Sequence, residues 1–424
     1  MPFEETMLRL GLGASAELFR PHWEESEACL PPDGLPFLKP EELEAAFDYG
    51  GVYPEMRPLV HETAQRVRES KDLTLLAWHC HQLLWEHISD YLTATVRQWP
   101  PLKGALPDEL APVFYAPLAL SGVPRVRAFH KKRGVPDEIT RSTCLGVQHG
   151  IFVYRYFRKA WGQDVGQLNW FRHSVIGDLY EIGRHQYMVK PFKPGQIVCR
   201  NAQTGETLAV AQDGLRFRPN GLRFGKEYAD EEAQSWTSRL VEDDKGFTGN
   251  PISPFGRALR KEVHLPRAQW EKAVEPGAPM LEMHIPSGGQ MTPEACRASM
   301  QGALDFFPRC FPDRPFRGFL CTSWIFSPNL EEILPADSNM VKWVKEVYLF
   351  PTSSGKRSGM NFVFGKNEID LATAPRDTSL RRAILDHFVK GGELCGGGMF
   401  MLTEDFKHFG SQHYCSHWPP ACLR

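Results

Sequence analysis

Nowhere in its 424 residues does this sequence hold the roughly 20 consecutive apolar residues that a membrane-spanning helix needs. An excess of one charge is missing too, because 49 lysines and arginines nearly cancel 51 aspartates and glutamates. The balanced charge offers no field to gather nucleic acid or an anionic bilayer, so neither is an expected partner and the ligands should be local and small. The ten cysteines form no CxxC pair and no disulfide-like framework. The opening MPFEETMLRLGLGASAELFRP carries acidic residues early and lacks the apolar core of a signal peptide. With the scattered cysteines, this points to a reducing cytoplasm.

Ordinary apolar and charged fractions over this length allow two buried cores. From about residue 40 to 175 the pattern is helical. Pro40 followed by EELEAAF opens a helix, and residues 59–70 and 72–97 carry apolar positions three and four apart. Prolines at 100, 101 and 107 interrupt this half, and Pro136-Asp137-Glu138 starts a long amphipathic helix expected to run to about Lys159.

Near Leu168 the character changes. LYEIGRHQYMV reads as a strand, with Arg184 and Gln186 on one face and Glu181, His185 and Tyr187 on the other. Thr204-Gly205 and Asp213-Gly214 are hairpin-turn signals between alternating segments. Residues 225–262 read as loop, with LRKEVHLP (259–266) a candidate edge strand. From Gly277 the order becomes regular: strand APMLEMHIP, a helix opened by Thr292-Pro293-Glu294 and running to about Phe307, strand GFLCTSWIF, a broken helix, and a strand at VYLF. Such a β-α-β-α-β succession packs helices on a twisted sheet.

The strings LSGVPRVRAFHKKRGVPDEITRST, LNWFRHSVIGDLYEIGRHQY, NPISPFGRALRKEVHLP, MHIPSGGQMTPEACRASM, FLCTSWIFSPNLEEILPADSNMVKWV and APRDTSLRRAILDHFVKGG occur in order over roughly residues 110–395. In them the sequence resembles bacterial acyltransferase-like proteins that pair a helical N-acyltransferase N-terminal domain with a GNAT-like C-terminal domain, GNAT being the acetyl-CoA-dependent N-acetyltransferase superfamily. The implied fold class is α+β: a helical domain at 1–165, a GNAT-like mixed-sheet α/β core at 166–400 and a tail at 401–424. The implied co-substrate is acetyl-CoA or another acyl-CoA, and the implied acceptor a small molecule or peptide.

An acyl-CoA enzyme must hold a pyrophosphate, for which backbone N–H groups of a glycine turn opening a helix are suited. The resemblance places that task on Ser287, Gly288, Gly289, Gln290 and Met291. The superfamily's usual string, Q/R-x-x-G-x-G/A, does not follow this strand; the nearest, RPNGLR at 218–223, precedes it. Strand alternation puts Glu282 and His284 on one face of LEMHIP; near neutral pH histidine can take a proton from an amine unassisted, and glutamate can where desolvation raises its pKa. Phe319, Cys321 and Ser323 share a face of the next strand, which makes Cys321 a candidate nucleophile and Ser323 a candidate proton carrier. Arg184 is a candidate holder of an acceptor carboxylate, and Trp324 a second substrate-binding candidate.

Two clusters suggest metal: His79, Cys80, His81 and His87, and the tail's His408, His413, Cys415, His417 and Cys422. Helical spacing disperses the first, and the second fits no zinc module, so no metal is assigned. Acyl-CoA-dependent transfer to an amine is thus the leading functional expectation. A non-catalytic GNAT-like module that binds a metabolite or partner is the alternative, and a cysteine hydrolase using Cys321 with His284 is a third.

Overall fold

The computed structural model of the chain describes residues 2–87 and 93–424. Two compact units divide it, residues 1–182 and 183–424.

The first unit is helical. Helix α1 (Pro40–Gly50) begins with proline at a position that needs no amide donor, carries Glu41 and Glu42 at its positive end, and stops at Gly51 in the left-handed conformation, φ 62°. Its buried residues Leu43, Ala46, Phe47 and Gly50 follow the spacing of one helical face. Burying Phe47 completely contributes roughly 2–3 kcal/mol. Helices α2 (Arg57–Glu69) and α3 (Lys71–Trp85) follow, and Ser70 caps α3 by accepting from the Leu73 amide. The periodicity that predicts helix over 72–97 runs across residues 88–92, which lie outside the described residues. Helix resumes at Thr93–Val96.

The long helix expected up to Lys159 is two helices, α4 (Asp137–Cys144) and α5 (Gly146–Arg158), joined at Leu145. A Cβ on Gly146 would stand 2.7 Å from the Phe171 ring, which belongs to α6 (Val165–Val175). One continuous apolar cluster, including Leu76, Leu83, Val147, Ile151, Leu168 and Phe171, holds the helices together. Helix α6 begins where the sequence divides the domains, and it lies in this first unit.

The second unit is built on sheets. The run expected as one strand at 179–189 is interrupted: Gly183 is left-handed at φ 59°, Arg184 sits in the turn, and strand β1 is His185–Pro191. Strands β2 (Gln196–Asn201) and β3 (Thr207–Ala211) form the hairpin expected at Thr204-Gly205, whose turn Asn201 stabilises by accepting from the Gln203 and Thr204 amides. Asp213-Gly214 is also a turn, with Gly214 at φ 76°, but it joins no hairpin. Residues Arg216–Phe217 beyond it pair with Trp236–Thr237 instead of β3.

The stretch 225–262, expected as loop, contains short strands, among them β4 (Pro251–Ser253) and β5 (Arg257–Ala258). Its glycines reflect close approach of backbones as much as turning: a Cβ on Gly249 would stand 2.6 Å from the Arg239 carbonyl. The edge strand expected in 259–266 is present as Val263–Pro266, at the edge of a three-stranded sheet. Strand β6 (Trp270–Val274) completes a sheet of order β5-β4-β3-β2-β6.

The remaining strands of this unit are β7 (Pro279–His284), β8 (Gly318–Ser323), β9 (Tyr348–Pro351) and β10 (Gly397–Leu402). With β1 they run in the order β1-β7-β8-β10-β9. The last strand of the expected β-α-β-α-β succession therefore does not lie beside β8. Strand β10 separates them, antiparallel to both. Helix α7 (Pro293–Cys310) links β7 to β8; Thr292 caps it by accepting from the Ala295 amide at 3.2 Å. Ser299 of α7 ties helix to sheet, 2.8 Å from the Tyr187 hydroxyl and accepting from the His185 amide at 3.1 Å.

The tail packs within this unit. Tyr414 accepts from the Leu402 amide at 3.0 Å, and the fully buried Asp405 meets Arg200 of β2 at 2.7 Å. Among the described residues no helix is long and apolar enough to cross a membrane.

Candidate active site

Strand alternation decides which candidate residues can meet. On β7, Leu281 and Met283 are buried while Glu282 and His284 are about one-third exposed, so these two share the outer face, with His284 Nε2 3.7 Å from Glu282 Oε2. Register carries that face to β8. Leu281 stands opposite Phe319 and Glu282 opposite Leu320. Thr322 therefore shares the face of Glu282, and Cys321 shares that of Leu281, where Phe319 also meets the Tyr187 ring. The sheet separates Cys321 from His284, and burial pushes the Cys321 thiol up, which favours the neutral thiol over the nucleophilic thiolate. The hydrolase reading loses both of its requirements.

Ser323 and Trp324 lie where β8 gives way to a short turn of 3₁₀ helix at Trp324–Phe326. The Ser323 hydroxyl accepts from the Ile325 amide and caps that turn. Trp324 packs on a small apolar cluster that includes Met360, Val363 and Leu385. Arg184 donates from Nη1 to the Pro286 carbonyl at 3.0 Å, and a Cβ on Gly289 would lie 3.5 Å from its side chain. It braces the loop between β7 and α7.

That loop, residues 285–292, is exposed at Ser287, Gly288, Gly289 and Gln290, while Met291 is half-buried. Gly288 and Gly289 take φ values of 88° and 66°, which side chains rarely adopt. A Cβ on Gly288 would meet nothing within 4 Å. The glycines serve conformation, and the space before them is open. An 18-residue helix follows directly.

Strands β7 and β8 are parallel but paired through two residues each, Leu281 with Phe319 and Glu282 with Leu320. Each pairs through six residues with its outer neighbour. Beyond Glu282 and Leu320 the two strands part. On the outer face beside this opening lies a cavity of about 430 Å³, lined by Glu282 and Thr322 together with Lys190 and Arg223. Phe217, Ile252, Leu320 and Phe350 provide apolar wall from three sheets.

Sequence reasoning missed Lys190, Arg223 and Thr322. Alternation would have aligned Thr322 with Glu282 once the register was known. Nothing local in RPNGLR indicates that Arg223 faces a cavity.

The histidines of the first cluster point to separate partners, as their helical spacing suggests. His79 bonds Ser26 at 2.9 Å and His81 bonds Ser121 at 2.9 Å; burial lowers both imidazoles to about 3. His87 stacks instead on His22, with Glu25 against both rings. In the tail, His413 stacks on His408 and meets the His417 ring at a tilt of 53°.

The sequence matches the model of the GNAT-like C-terminal domain over residues 179–400 and that of the N-acyltransferase N-terminal domain over residues 41–175. This chain belongs to the GNAT-like C-terminal domain family. In family terms, β7, the glycine loop and α7 form the strand–loop–helix on which the resemblance placed CoA. Solved structures share the fold of this GNAT-like chain. One, an acyltransferase in complex with CoA and 10C-teicoplanin, is 23% identical with a TM-score of 0.60, covering 95% of this chain and 99% of that one. Another, an acyltransferase with decanoyl-CoA and teicoplanin, is 24% identical with a TM-score of 0.59 over the same shares. A third, with decanoyl-CoA, is 19% identical with a TM-score of 0.57, again over 95% and 99%. No curated protein matches the sequence.

Proposed function

We propose that this protein is an acyl-CoA-dependent acyltransferase that acylates an amine of a small molecule, working in the cytoplasm. The observation that carries the reading is the parting of β7 and β8 beside Glu282 and His284, within a GNAT-like unit. An opening between strands exposes backbone groups along which an extended thioester can lie. Acyltransferases of the same fold were solved with CoA or decanoyl-CoA and with teicoplanin, which supports both an acyl-CoA and a small-molecule acceptor.

The residues present fit an acyl-CoA. The exposed Ser287-Gly288-Gly289-Gln290-Met291 loop presents amides at the positive end of α7, and Arg184 behind it adds a cation. Acyl-CoA supplies an activated thioester carbonyl. His284 takes the proton from the attacking acceptor amine, and Glu282 at 3.7 Å stabilises the imidazolium that results. The new amide bond replaces the thioester bond, and CoA leaves as its thiol. Cys321 and Ser323, one buried on the opposite face and the other capping a turn, take no part in this scheme.

Purified protein incubated with acetyl-CoA or decanoyl-CoA and a panel of primary amines should release CoA thiol. Absence of both turnover and acyl-CoA binding by calorimetry would overturn the proposal. Binding without turnover on any amine would instead favour a non-catalytic acyl-CoA-binding module.

A further inference from the structure

Two arginines five residues apart have opposite surroundings. Arg218 is closed into an ion network, bonded to Glu231 at 2.6 Å and Glu393 at 2.6 Å. Arg223 has no carboxylate partner among the described residues. Its Nη1 is buried without a hydrogen bond, and its guanidinium lies 5.3 Å from the Phe217 ring centroid. Burial pulls its pKa down, the mark of a desolvated cation. Buried charges are ordinarily paired, since leaving one unpaired costs several kcal/mol. Arg223 lines the cavity that also holds Glu282.

The cavity therefore carries one carboxylate, Glu282, among three cations, Arg223, Lys190 and Lys193, with apolar wall from Phe217, Ile252, Leu320 and Phe350. We propose that it binds the acyl acceptor, and that the acceptor is an amino carboxylate with an apolar body: its carboxylate on Arg223, its amine towards Glu282, its apolar part against Phe217, Leu320 and Phe350. Guanidinium pairs a carboxylate through two parallel hydrogen bonds, which fixes orientation as well as charge. The glycine loop before α7, to which the pyrophosphate of CoA is assigned, forms no part of the cavity wall. Arg223 thus takes the role that the sequence suggested for Arg184.

This inference rests on the acyl-transfer reading, but its test separates the two. Binding of L-leucine and L-phenylalanine is measured by calorimetry without acyl-CoA, beside leucinamide, which keeps the amine and lacks the carboxylate. The amino acids should bind about tenfold or more tighter than the amide, and Arg223→Ala should abolish that difference. Arg223→Gln, closer in shape, serves if the alanine variant fails to fold. In transfer assays with decanoyl-CoA, the variant should lose kcat/KM for leucine and keep it for leucinamide. Equal binding of leucine and leucinamide, or no binding of either amino acid, would overturn the proposal, as would a raised KM for acyl-CoA with acceptor kinetics unchanged. Carboxylate-selective binding that Arg223→Ala removes, without thiol release on any amine, would uphold the cavity's assignment while removing the acyl-transfer reading.

Discussion

His284 Nε2 lies 3.7 Å from Glu282 Oε2, on one face of β7 and beside the point where that strand leaves β8. Two acid–base groups so placed can share a proton removed from an acceptor. His284→Ala should therefore lower kcat for acyl transfer by about a hundredfold or more, within the range of general-base contributions. Glu282→Gln should act in the same direction but less. Circular dichroism and Tm should be close to the parent in both, because neither side chain is in the core; full activity in His284→Ala would remove it from the mechanism.

The glycine loop gives a different signature. Gly289 sits at φ 66° with Arg184 against it. Gly289→Val adds about 1–2 kcal/mol of backbone strain and should raise the KM for acyl-CoA while the acceptor KM stays near its parent value. Arg184→Ala, which releases the Pro286 carbonyl, should shift the same constant in the same direction. A change confined to the acceptor KM would place the loop on the other side of the reaction.

Asp405 tests the tail. Its side chain is wholly buried, and it accepts from Arg200 at 2.7 Å and Thr207 at 3.2 Å. Asp405→Ala leaves the largely buried guanidinium without its partner, for which about 3–5 kcal/mol is the expected destabilisation. Urea unfolding should show a lower midpoint, and an unchanged midpoint would mean that the tail adds nothing to the unit's stability.

Acid should destabilise both units through buried histidines. Burial lowers His79, His81 and His185 from 6.5 to about 3. Their folded values lie below their unfolded ones, so the unfolded chain binds protons that the native state refuses. Stability is full above about pH 6.5 and falls by about 1.4 kcal/mol per histidine for each pH unit below it, towards about pH 3. Urea midpoints at about pH 7 and pH 5 measure this, and His185→Gln should reduce the slope; equal midpoints would contradict neutral burial.

Thiol labelling checks Cys321. Iodoacetamide should modify the exposed Cys29 and Cys422 in native protein, leaving Cys321 unmodified until denaturant is added. Rapid native labelling of Cys321 would reopen a nucleophilic role.

The sequence alone determined the local features. Apolar spacing in α1, the Thr292 cap of α7, the Thr204-Gly205 hairpin and the exposed glycine loop each depend on neighbours within a few residues. The same alternation placed Glu282 and His284 on one face. Tertiary structure decided what long-range pairing decides: that β10 enters between β8 and β9, that the expected long helix is two helices joined at Leu145, and that 225–262 contains short strands. It also brought Arg223 and Thr322 to the cavity of Glu282 and turned Cys321 away from it. Strand register and cavity walls depend on contacts between segments distant in sequence, and no periodicity within a segment encodes its partner.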